Sequence, residues 1–265
     1  MLEIKGDELL ELTSEPLDVK EELSLKIIEE VHKRFNGRVM VSWSGGKDST
    51  IVVYLARKID PNVIVLFANT LIEYPETVKY VRELAKEWKL NYHEVKPRKG
   101  VTYWKIVERE GFPKIRWHRH KPTCCTELKT YPIQVFTAKM GIKCQLIGFT
   151  YDESRPRFVQ LYRNGIFQYV KPRKYEDVVT VYKCYPIAFW SVSDVWKYIK
   201  KNNIPYNPVY DKGVERVGCM PCTAHLGWRE SLGRTNPKML EFILRKMREM
   251  GDERGYQTSM EDYVI

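Results

Sequence analysis

The glycine-rich segment Ser44-Gly45-Gly46-Lys47-Asp48-Ser49 has the composition of a phosphate-binding loop. Its glycines let the backbone approach an anion and direct successive N–H groups toward it, and a following helix adds its positive N-terminal end. Lys47 supplies a point charge, and the hydroxyls of Ser44 and Ser49 can donate to phosphate oxygens. The spacing is not that of a Walker A loop. We therefore predict a phosphate site at residues 44–49.

Four of the six cysteines form two pairs, Cys124-Cys125 and the Cys-x-x-Cys pair Cys219 and Cys222. Such distant pairs can complete one metal site only if the fold joins them, which would fasten the C-terminal segment to the core. Four thiolates suit tetrahedral zinc, whereas adjacent cysteines more readily reach different irons of one cubane. The residues alone leave both metals open.

The phosphate loop needs a strand before it and a helix after it. Arg38–Trp43 predicts the strand and Lys47–Ile59 predicts the helix. Further strands are predicted at Val63–Ala68, Asn91–Val95 and Cys144–Phe149, and helices near Leu17–Phe35, Pro75–Trp88, Tyr103–Glu110, Thr126–Lys139 and Pro237–Met250. Alternation of this kind predicts an α/β fold with a doubly wound parallel sheet.

The pattern changes after residue 150. Arg157–Tyr162 and Ile166–Val170 predict a hairpin, and Ser193 is expected to cap a helix that runs to about Lys201. Cys144 and Cys184 lie in apolar or aromatic surroundings and are expected to be small core residues. We divide the chain into an N-terminal helical extension (1–35), a domain that carries the glycine-rich loop and both cysteine pairs (36–235), and a C-terminal helix and tail (236–265).

The chain carries 44 Lys and Arg against 34 Asp and Glu, a net charge of +10. The first thirty residues are acidic, and most of the excess positive charge lies in Lys96–Tyr131 and Arg155–Lys174. Aromatic residues are interspersed in both segments, so they are suited to bind phosphates and stack bases. A solvated basic face and the wall of a nucleotide pocket explain the same pattern. Nucleic acid is therefore one candidate partner among others.

Composition excludes several classes of protein. With 43% hydrophobic residues the chain can bury a large core, which argues against wholesale disorder. The longest aliphatic runs are far shorter than the roughly 20 residues of a membrane helix. The acidic start lacks the pattern of a signal peptide, so we expect a cytoplasmic protein without membrane attachment.

The motifs resemble those of one family. Ser44–Ser49 resembles the pyrophosphate loop of the adenine nucleotide α-hydrolase superfamily, and Asn69–Thr77 resembles the D-T-G-x-x-F-P-E-T segment of PAPS reductases, with Asn69 in place of Asp. The cysteine pattern resembles that of [4Fe-4S] APS reductases. Further matching blocks lie at Tyr185–Ala188, Ser193–Ile199, Ile204–Gly213 and Gly218–Thr223, and the resemblance covers about residues 36–235. It implies a Rossmann-like fold, an adenine nucleotide and a [4Fe-4S] cluster on Cys124, Cys125, Cys219 and Cys222.

Gly148–Arg157 resembles the family segment G-x-R-x-x-E-S-x-x-R, whose basic side chains meet the phosphate or sulfate of the nucleotide. The resemblance implies that Arg157, and Arg155 beside it, bind the nucleotide. Thr150 stands where the family has its first Arg. The anion preference of the family therefore does not carry over directly.

Two features distinguish the activities within this family. The loop keeps the full Ser-Gly-Gly-Lys-Asp-Ser form of relatives that cleave ATP, and no cysteine of the given sequence follows Cys222 to serve as the nucleophile of sulfonucleotide reduction. We expect ATP-dependent activation with pyrophosphate release for sulfur transfer. Lys47, the loop amides and Mg²⁺ held through Asp48 would stabilise the leaving group.

Two alternatives stay open. One is an APS or PAPS reductase that takes its thiol from a thioredoxin-like partner or a second subunit. The other is a non-catalytic cluster protein that binds nucleotide or nucleic acid. Arg116–Pro132 also resembles the corresponding region of DndC-like DNA phosphorothioation proteins, which makes nucleic acid a candidate acceptor and adds an unidentified sulfur donor as a partner.

Overall fold

The computed structural model describes residues 2–114, 122–170, 181–225 and 227–251. A six-stranded sheet runs through it, in the order β3-β2-β1-β4-β6-β5. The strands are β1 Val39–Trp43, β2 Ile64–Ala68, β3 Asn91–Val95, β4 Cys144–Ile147, β5 Phe167–Val170 and β6 Val181–Cys184. β1 pairs in parallel with β2 and β4, β4 pairs in parallel with β6, and β5 is antiparallel to β6. The predicted α/β fold with a mainly parallel sheet is confirmed.

Helices alternate with the strands along the sequence, and further helices precede β1 and follow β6. They are α1 Gly6–Thr13, α2 Leu17–Arg34, α3 Lys47–Ile59, α4 Pro75–Glu87, α5 Tyr103–Glu110, α6 Thr123–Cys125, α7 Tyr131–Lys139, α8 Arg155–Asn164, α9 Val192–Lys201, α10 Trp228–Thr235 and α11 Pro237–Glu249. A π-helical turn, Thr126–Thr130, lies between α6 and α7, so one predicted helix over 126–139 is two segments in the structure.

The residues group into two compact units that are each discontinuous in sequence. Unit 1 comprises Met1–Phe67, Tyr80–Glu94 and Gln134–Asn207, and unit 2 comprises Ala68–Lys79, Val95–Ile133 and Pro208–Ile265. Each unit has an apolar core of its own. The sequence-based division at residues 35 and 235 stays a prediction.

The core of unit 1 is built on the central strands. Val65, Leu66 and Phe67 of β2 are all buried, and since successive side chains of a strand point to opposite faces, both faces of β2 are covered as expected. Cys144 and Cys184 are fully buried in the same core, which confirms their prediction as core residues. Burial raises the pKa of both thiols well above the ordinary value, so both stay protonated.

Two local predictions were wrong. Residues 157–162 belong to helix α8 and not to a hairpin strand, since Pro156 suits a first helical turn and Leu161 is buried on the helix face. Helix α9 is capped by Ser191 and not by Ser193. The hydroxyl of Ser191 accepts from the Asp194 N–H at 3.0 Å, and the Asp194 carboxylate accepts from the Ser191 N–H at 2.9 Å.

In the part of the chain that the structure describes, no helix combines the length and apolar character needed to cross a bilayer.

Candidate functional site

The predicted phosphate loop lies in unit 1, where β1 ends and α3 begins. Gly46 is the N-cap of α3, and Gly45 has a left-handed φ of 75° that favours glycine. The loop adjoins the point between β1 and β4 at which the strand order reverses. Open α/β sheets bind ligands at such switch points, beyond the carboxyl ends of the strands.

The two carbonyl groups of the glycine pair are held by side chains of unit 1. Asn207 Nδ2 donates to the Gly45 carbonyl oxygen at 3.1 Å. The hydroxyls of Ser49 and Thr50 both donate to the Gly46 carbonyl oxygen at 3.0 Å. A trans peptide directs its C=O and its N–H to opposite sides, so these bonds fix the direction of the Gly46 and Lys47 amides.

The predicted serines are in contact with one another. The Ser44 and Ser49 hydroxyl oxygens are 3.0 Å apart. Ser49 Oγ also accepts from the Ser44 N–H at 3.2 Å, and Ser44 Oγ accepts from the Gly46 N–H at 3.3 Å. The single hydrogen of the Ser49 hydroxyl goes to the Gly46 carbonyl oxygen, so of these two hydroxyls it is Ser44 that can turn its hydrogen toward an anion.

Lys47 and Asp48 form a buried ion pair at the start of α3. Lys47 Nζ lies 2.9 Å from Asp48 Oδ2, and both side chains are about nine-tenths buried. The other carboxylate oxygen, Asp48 Oδ1, has no hydrogen-bond partner. Within the described residues the buried side-chain oxygens without a partner belong to Ser42, Asp48 and Thr150, all of unit 1.

Gly148, directly after β4, packs against the start of α3. A Cβ atom placed on Gly148 would lie 2.4 Å from the Ser49 backbone nitrogen and 2.6 Å from the Asp48 carbonyl carbon. Only glycine allows this approach. Thr150, two residues later, is fully buried at the N-cap of a 3₁₀ turn, but its hydroxyl makes no capping bond.

The predicted anion-binding arginines lie at the start of α8. Arg155 is exposed. Arg157 forms an ion pair with Glu153 and stacks over the Phe149 ring, 4.3 Å from the ring centroid. Their assignment to the nucleotide stays a prediction.

All four predicted metal-ligating cysteines lie in unit 2, and none is in a disulfide. Their charges act on the pKa of a common neighbour, Tyr103, whose hydroxyl donates to the Pro221 carbonyl oxygen at 2.7 Å. Burial is the larger cause and raises the pKa of Tyr103 well above its ordinary value. A π-helical turn, of a kind often found at functional sites, follows Cys125 directly.

Cys219 is held beside the segment that resembles the family motif. An antiparallel bridge pairs Cys219 with Glu73, and the Met220 N–H donates to the Ile72 carbonyl oxygen at 2.8 Å. The sulfur of Cys219 lies 3.4 Å from Thr70 Oγ1 and 3.7 Å from Glu73 Oε1. Burial and, to a smaller extent, the Glu73 charge raise the pKa of Cys219.

The thiols do not form a completed ligand set. Among the described residues no three His, Cys, Asp or Glu side chains are arranged to hold a metal ion. The Cys124 thiol is hydrogen-bonded to Cys125, and this bond together with burial raises the pKa of Cys124 far above its ordinary value. Metal binding at these cysteines stays a prediction.

The residues that hold the loop in unit 1, and the turn at Leu71 in unit 2, were not predicted from the sequence. Asn207 and Tyr80 reach the loop region from distant segments, and only the block of family resemblance around Asn207 indicated a role. Leu71 has a left-handed φ of 66° and is 59% exposed, and Asn69 Oδ1 accepts from its N–H at 2.9 Å. The bond from Leu71 shows what Asn69 does in the position of the family Asp: it closes a turn.

The predicted basic segments are described only in part. Arg98 forms a salt bridge with Glu127 at 2.8 Å and stacks over the Tyr131 ring. Residues 115–121 and 171–174 lie outside the described residues. The nucleic-acid interaction expected of these segments stays a prediction.

Several known proteins are similar to this chain. An uncharacterized protein of Methanocaldococcus jannaschii is 32% identical over 227 residues, which cover 84% of this chain and 51% of that protein. The chain spans about half the length of that protein and of a second uncharacterized relative from the same organism. An adenosine 5'-phosphosulfate reductase of Bacillus cytotoxicus is 25% identical over 205 residues, covering 77% of this chain and 81% of that enzyme.

Two solved structures share the fold. A PAPS reductase from Candida auris gives a TM-score of 0.56 with 18% identity and covers 82% of this chain and 96% of its own. An FMN adenylyltransferase from Candida glabrata gives a TM-score of 0.52 with 13% identity, covering 82% of this chain and 72% of its own. The family model of the phosphoadenosine phosphosulfate reductase domain matches residues 38–225. On this match, and on the motifs that it spans, the chain belongs to the PAPS reductase domain family.

Proposed function

We propose that the protein binds Mg²⁺-ATP at residues 44–49 and cleaves it between the α- and β-phosphates to activate a substrate for sulfur transfer. The observation that carries the proposal is the set of side-chain hydrogen bonds from Asn207, Ser49 and Thr50 that holds both glycine carbonyls of the loop. Because the N–H of each following residue points away from the carbonyl, these bonds fix the Gly46 and Lys47 amides at the N-terminus of α3, which is suited to bind an anion. The buried pair Lys47 and Asp48 places a cation and a carboxylate at the same place.

The proposed step is an adenylyl transfer. A substrate oxygen attacks the α-phosphorus, the bond to the bridging oxygen breaks, and pyrophosphate leaves with the bonding electrons. A sulfur nucleophile from a donor then displaces AMP from the activated substrate. Lys47 and the loop amides would stabilise the charge that develops on pyrophosphate. Asp48 Oδ1 is a hard oxygen donor without a partner and suits a nucleotide-bound Mg²⁺.

Pyrophosphate release from ATP, measured beside sulfite release from APS and PAPS, tests the activity. We expect pyrophosphate release that depends on Mg²⁺ and on the acceptor. The variant Lys47→Gln keeps a hydrogen-bonding side chain without charge, and we expect it to lose about 100-fold or more in rate. Lys58→Gln is the matched control at the other end of α3, where Lys58 pairs with the distant Glu21. Equal rates in the two variants would refute the role of Lys47.

We further propose that Cys124, Cys125, Cys219 and Cys222 hold a [4Fe-4S] cluster. The donor set supports this, because the four thiols lie in one unit outside any disulfide, their neighbours' charges act on the pKa of Cys124, and adjacent cysteines suit a cubane. When bound, the cluster would join residues 124–125 to the Cys-x-x-Cys segment through iron–thiolate bonds. The position of Cys219 beside Thr70 and Glu73 orients one of these ligands.

Metal analysis of anaerobically purified protein tests the cluster. We expect about four irons per chain with brown absorbance. Cys219→Ser should lose most of the iron, whereas Cys144→Ala, which changes a fully buried core thiol, should retain it. Stoichiometric zinc from iron-replete cells would identify the alternative metal and defeat the proposal.

A second candidate is the reduction of APS or PAPS with a thiol from a thioredoxin-like partner. The observation in its favour is the 25% identity to an adenosine 5'-phosphosulfate reductase along most of that enzyme's length. Sulfite formation from APS or PAPS with thioredoxin, without pyrophosphate release from ATP, would establish this candidate. A protein that binds nucleotide and cluster but turns over neither substrate would fit the non-catalytic alternative.

A further inference from the structure

We infer that Asn207 is a positioning residue that sets the anion-binding orientation of the phosphate loop. The inference rests on the proposed function, because it concerns how residues 44–49 bind the diphosphate part of the nucleotide. Asn207 is fully buried, and its Nδ2 donates to the Gly45 carbonyl oxygen at 3.1 Å. The side chain thus acts on the loop through the backbone.

The peptide between Gly45 and Gly46 is the group that Asn207 controls. In a trans peptide the carbonyl and the N–H point in opposite directions. With the Gly45 carbonyl fixed on the Asn207 side, the Gly46 N–H lies on the other side, where it meets Ser44 Oγ at 3.3 Å. Reversal of this peptide would turn an oxygen, with its partial negative charge, toward the anion.

Glycine makes such a reversal easy. Reversal of the Gly45–Gly46 peptide changes ψ of Gly45 and φ of Gly46. Gly46 has a φ of −85°, and a glycine populates positive φ about as readily as negative φ. Two adjacent glycines therefore give the loop no intrinsic preference for the anion-binding orientation. The buried hydrogen bond from Asn207 supplies the preference.

The segment that carries Asn207 is itself fixed to the loop within unit 1. The Tyr80 hydroxyl donates to the Pro205 carbonyl oxygen at 2.8 Å and lies 3.3 Å from Thr50 Oγ1. Thr50 in turn accepts from Trp43 Nε1 at 3.0 Å and donates to the Gly46 carbonyl oxygen. Burial raises the pKa of Tyr80, which keeps this phenol a donor. Both glycine carbonyls are thus tied to one buried network.

Isothermal titration of the full chain with inorganic pyrophosphate, and then with ATP, tests the inference. We expect Asn207→Ala to weaken pyrophosphate binding at least tenfold, because the Gly45 peptide is released. Asn207→Asp has nearly the same shape but sets a carboxylate against a carbonyl oxygen, so we expect a larger loss. If Asn207→Ala does not fold, pyrophosphate binding can still be measured with Asn207→Asp.

Asn202→Ala is the matched control. Asn202 Nδ2 donates to the Tyr198 carbonyl oxygen at 3.0 Å, the same kind of bond in the same unit at the end of α9. We expect this variant to lower the unfolding temperature without changing the pyrophosphate affinity. In turnover, the Asn207 variants should raise KM for ATP and lower kcat, whereas Asn202→Ala should change neither.

The outcomes distinguish the positioning role of Asn207 from the proposed function of the loop. Wild-type affinity for pyrophosphate in both Asn207 variants, with a loss of stability like that of Asn202→Ala, would overturn the positioning role and leave the proposed function standing. Failure of the wild-type protein to bind pyrophosphate and ATP would overturn the proposed function and the positioning role together.

Discussion

The contact between Gly148 and the start of α3 predicts a strong effect from adding one methyl group. In Gly148→Ala the new Cβ would lie 2.4 Å from the Ser49 nitrogen and 2.5 Å from the Ser49 Cα. Carbon and other heavy atoms in van der Waals contact stay about 3.5 Å apart, so the backbone must move by about 1 Å. No flexible side-chain end is available to give way, because the crowded atoms are backbone.

The size of the effect follows from this displacement. Overpacking of a well-packed core costs about 1–3 kcal/mol, which for a chain of this size lowers the unfolding temperature by about 2–12 °C. The same shift moves the amides at Asp48 and Ser49 away from the anion. Misplacement of about 1 Å can reduce catalysis about 100-fold, and we expect pyrophosphate binding to weaken by at least about tenfold.

Thermal unfolding and titration with pyrophosphate measure the two effects on the same samples. Gly233→Ala is the matched control, because its Cβ would meet only the end of the Leu240 side chain at 3.4 Å. Gly233 lies inside α10, where alanine favours the helix by up to about 1 kcal/mol. If Gly148→Ala unfolded at the wild-type temperature and bound pyrophosphate within twofold of the wild type, the argument from this close approach would be refuted.

Three further predictions concern single side chains. Thr150→Val removes a buried hydroxyl without a partner, so the unfolding temperature should stay the same or rise, while titration should show weaker ATP binding if the hydroxyl meets the nucleotide. Leu71→Gly relieves a left-handed φ of 66° and should stabilise the protein by about 1 kcal/mol in chemical denaturation; a loss of stability would contradict this. Burial alone would raise the pKa of Asp194, but hydrogen bonds from Lys20 and from the Ser191 backbone outweigh it, so the pKa is lowered. Ionised Asp194 therefore stabilises the fold at a pH above the ordinary Asp pKa. This contribution is lost as the pH falls through the lowered pKa. In Asp194→Asn the free energy of unfolding should decrease less than in the wild type as the pH is lowered. An unchanged decrease would exclude this contribution.

The sequence predicted strands β1 to β4 and the strand–loop–helix arrangement around residues 44–49, because these depend on local patterns. A few consecutive residues are enough in each case: the apolar run at β2 predicts a buried strand, and the glycine pair before α3 predicts a loop at a helix N-terminus. The segment 157–162 was misread because Arg-Phe-Val-Gln-Leu-Tyr also satisfies a strand pattern, and only burial of Leu161 on a helix face decides between the two. Strand β6 was not predicted, since its four residues are too few to show a period.

The parts of the site that the sequence did not predict depend on contacts between distant segments. Asn207 lies 162 positions from Gly45, and nothing near either residue indicates their hydrogen bond. Likewise, the position of Cys219 beside Thr70 depends on a bridge to Glu73 that joins segments about 146 residues apart. The spacing of the four cysteines identified them as candidate metal ligands, but only the fold places Cys219 beside Thr70 and Glu73.

The discontinuity of the two units limits how this protein can be taken apart. The chain passes from one unit to the other after Phe67, Lys79, Glu94, Ile133 and Asn207. Any contiguous fragment that contains one whole unit therefore also contains part of the other, and a truncation that removes Cys219 and Cys222 leaves unit 2 incomplete. During synthesis from the N-terminus, unit 1 is not complete until Asn207 has been added. The phosphate loop lies among the first fifty residues, and the hydrogen bond from Asn207 to its Gly45 carbonyl can form only after that point. Point substitutions in the intact chain are consequently the sound way to separate the chemistry of the loop from that of the thiols.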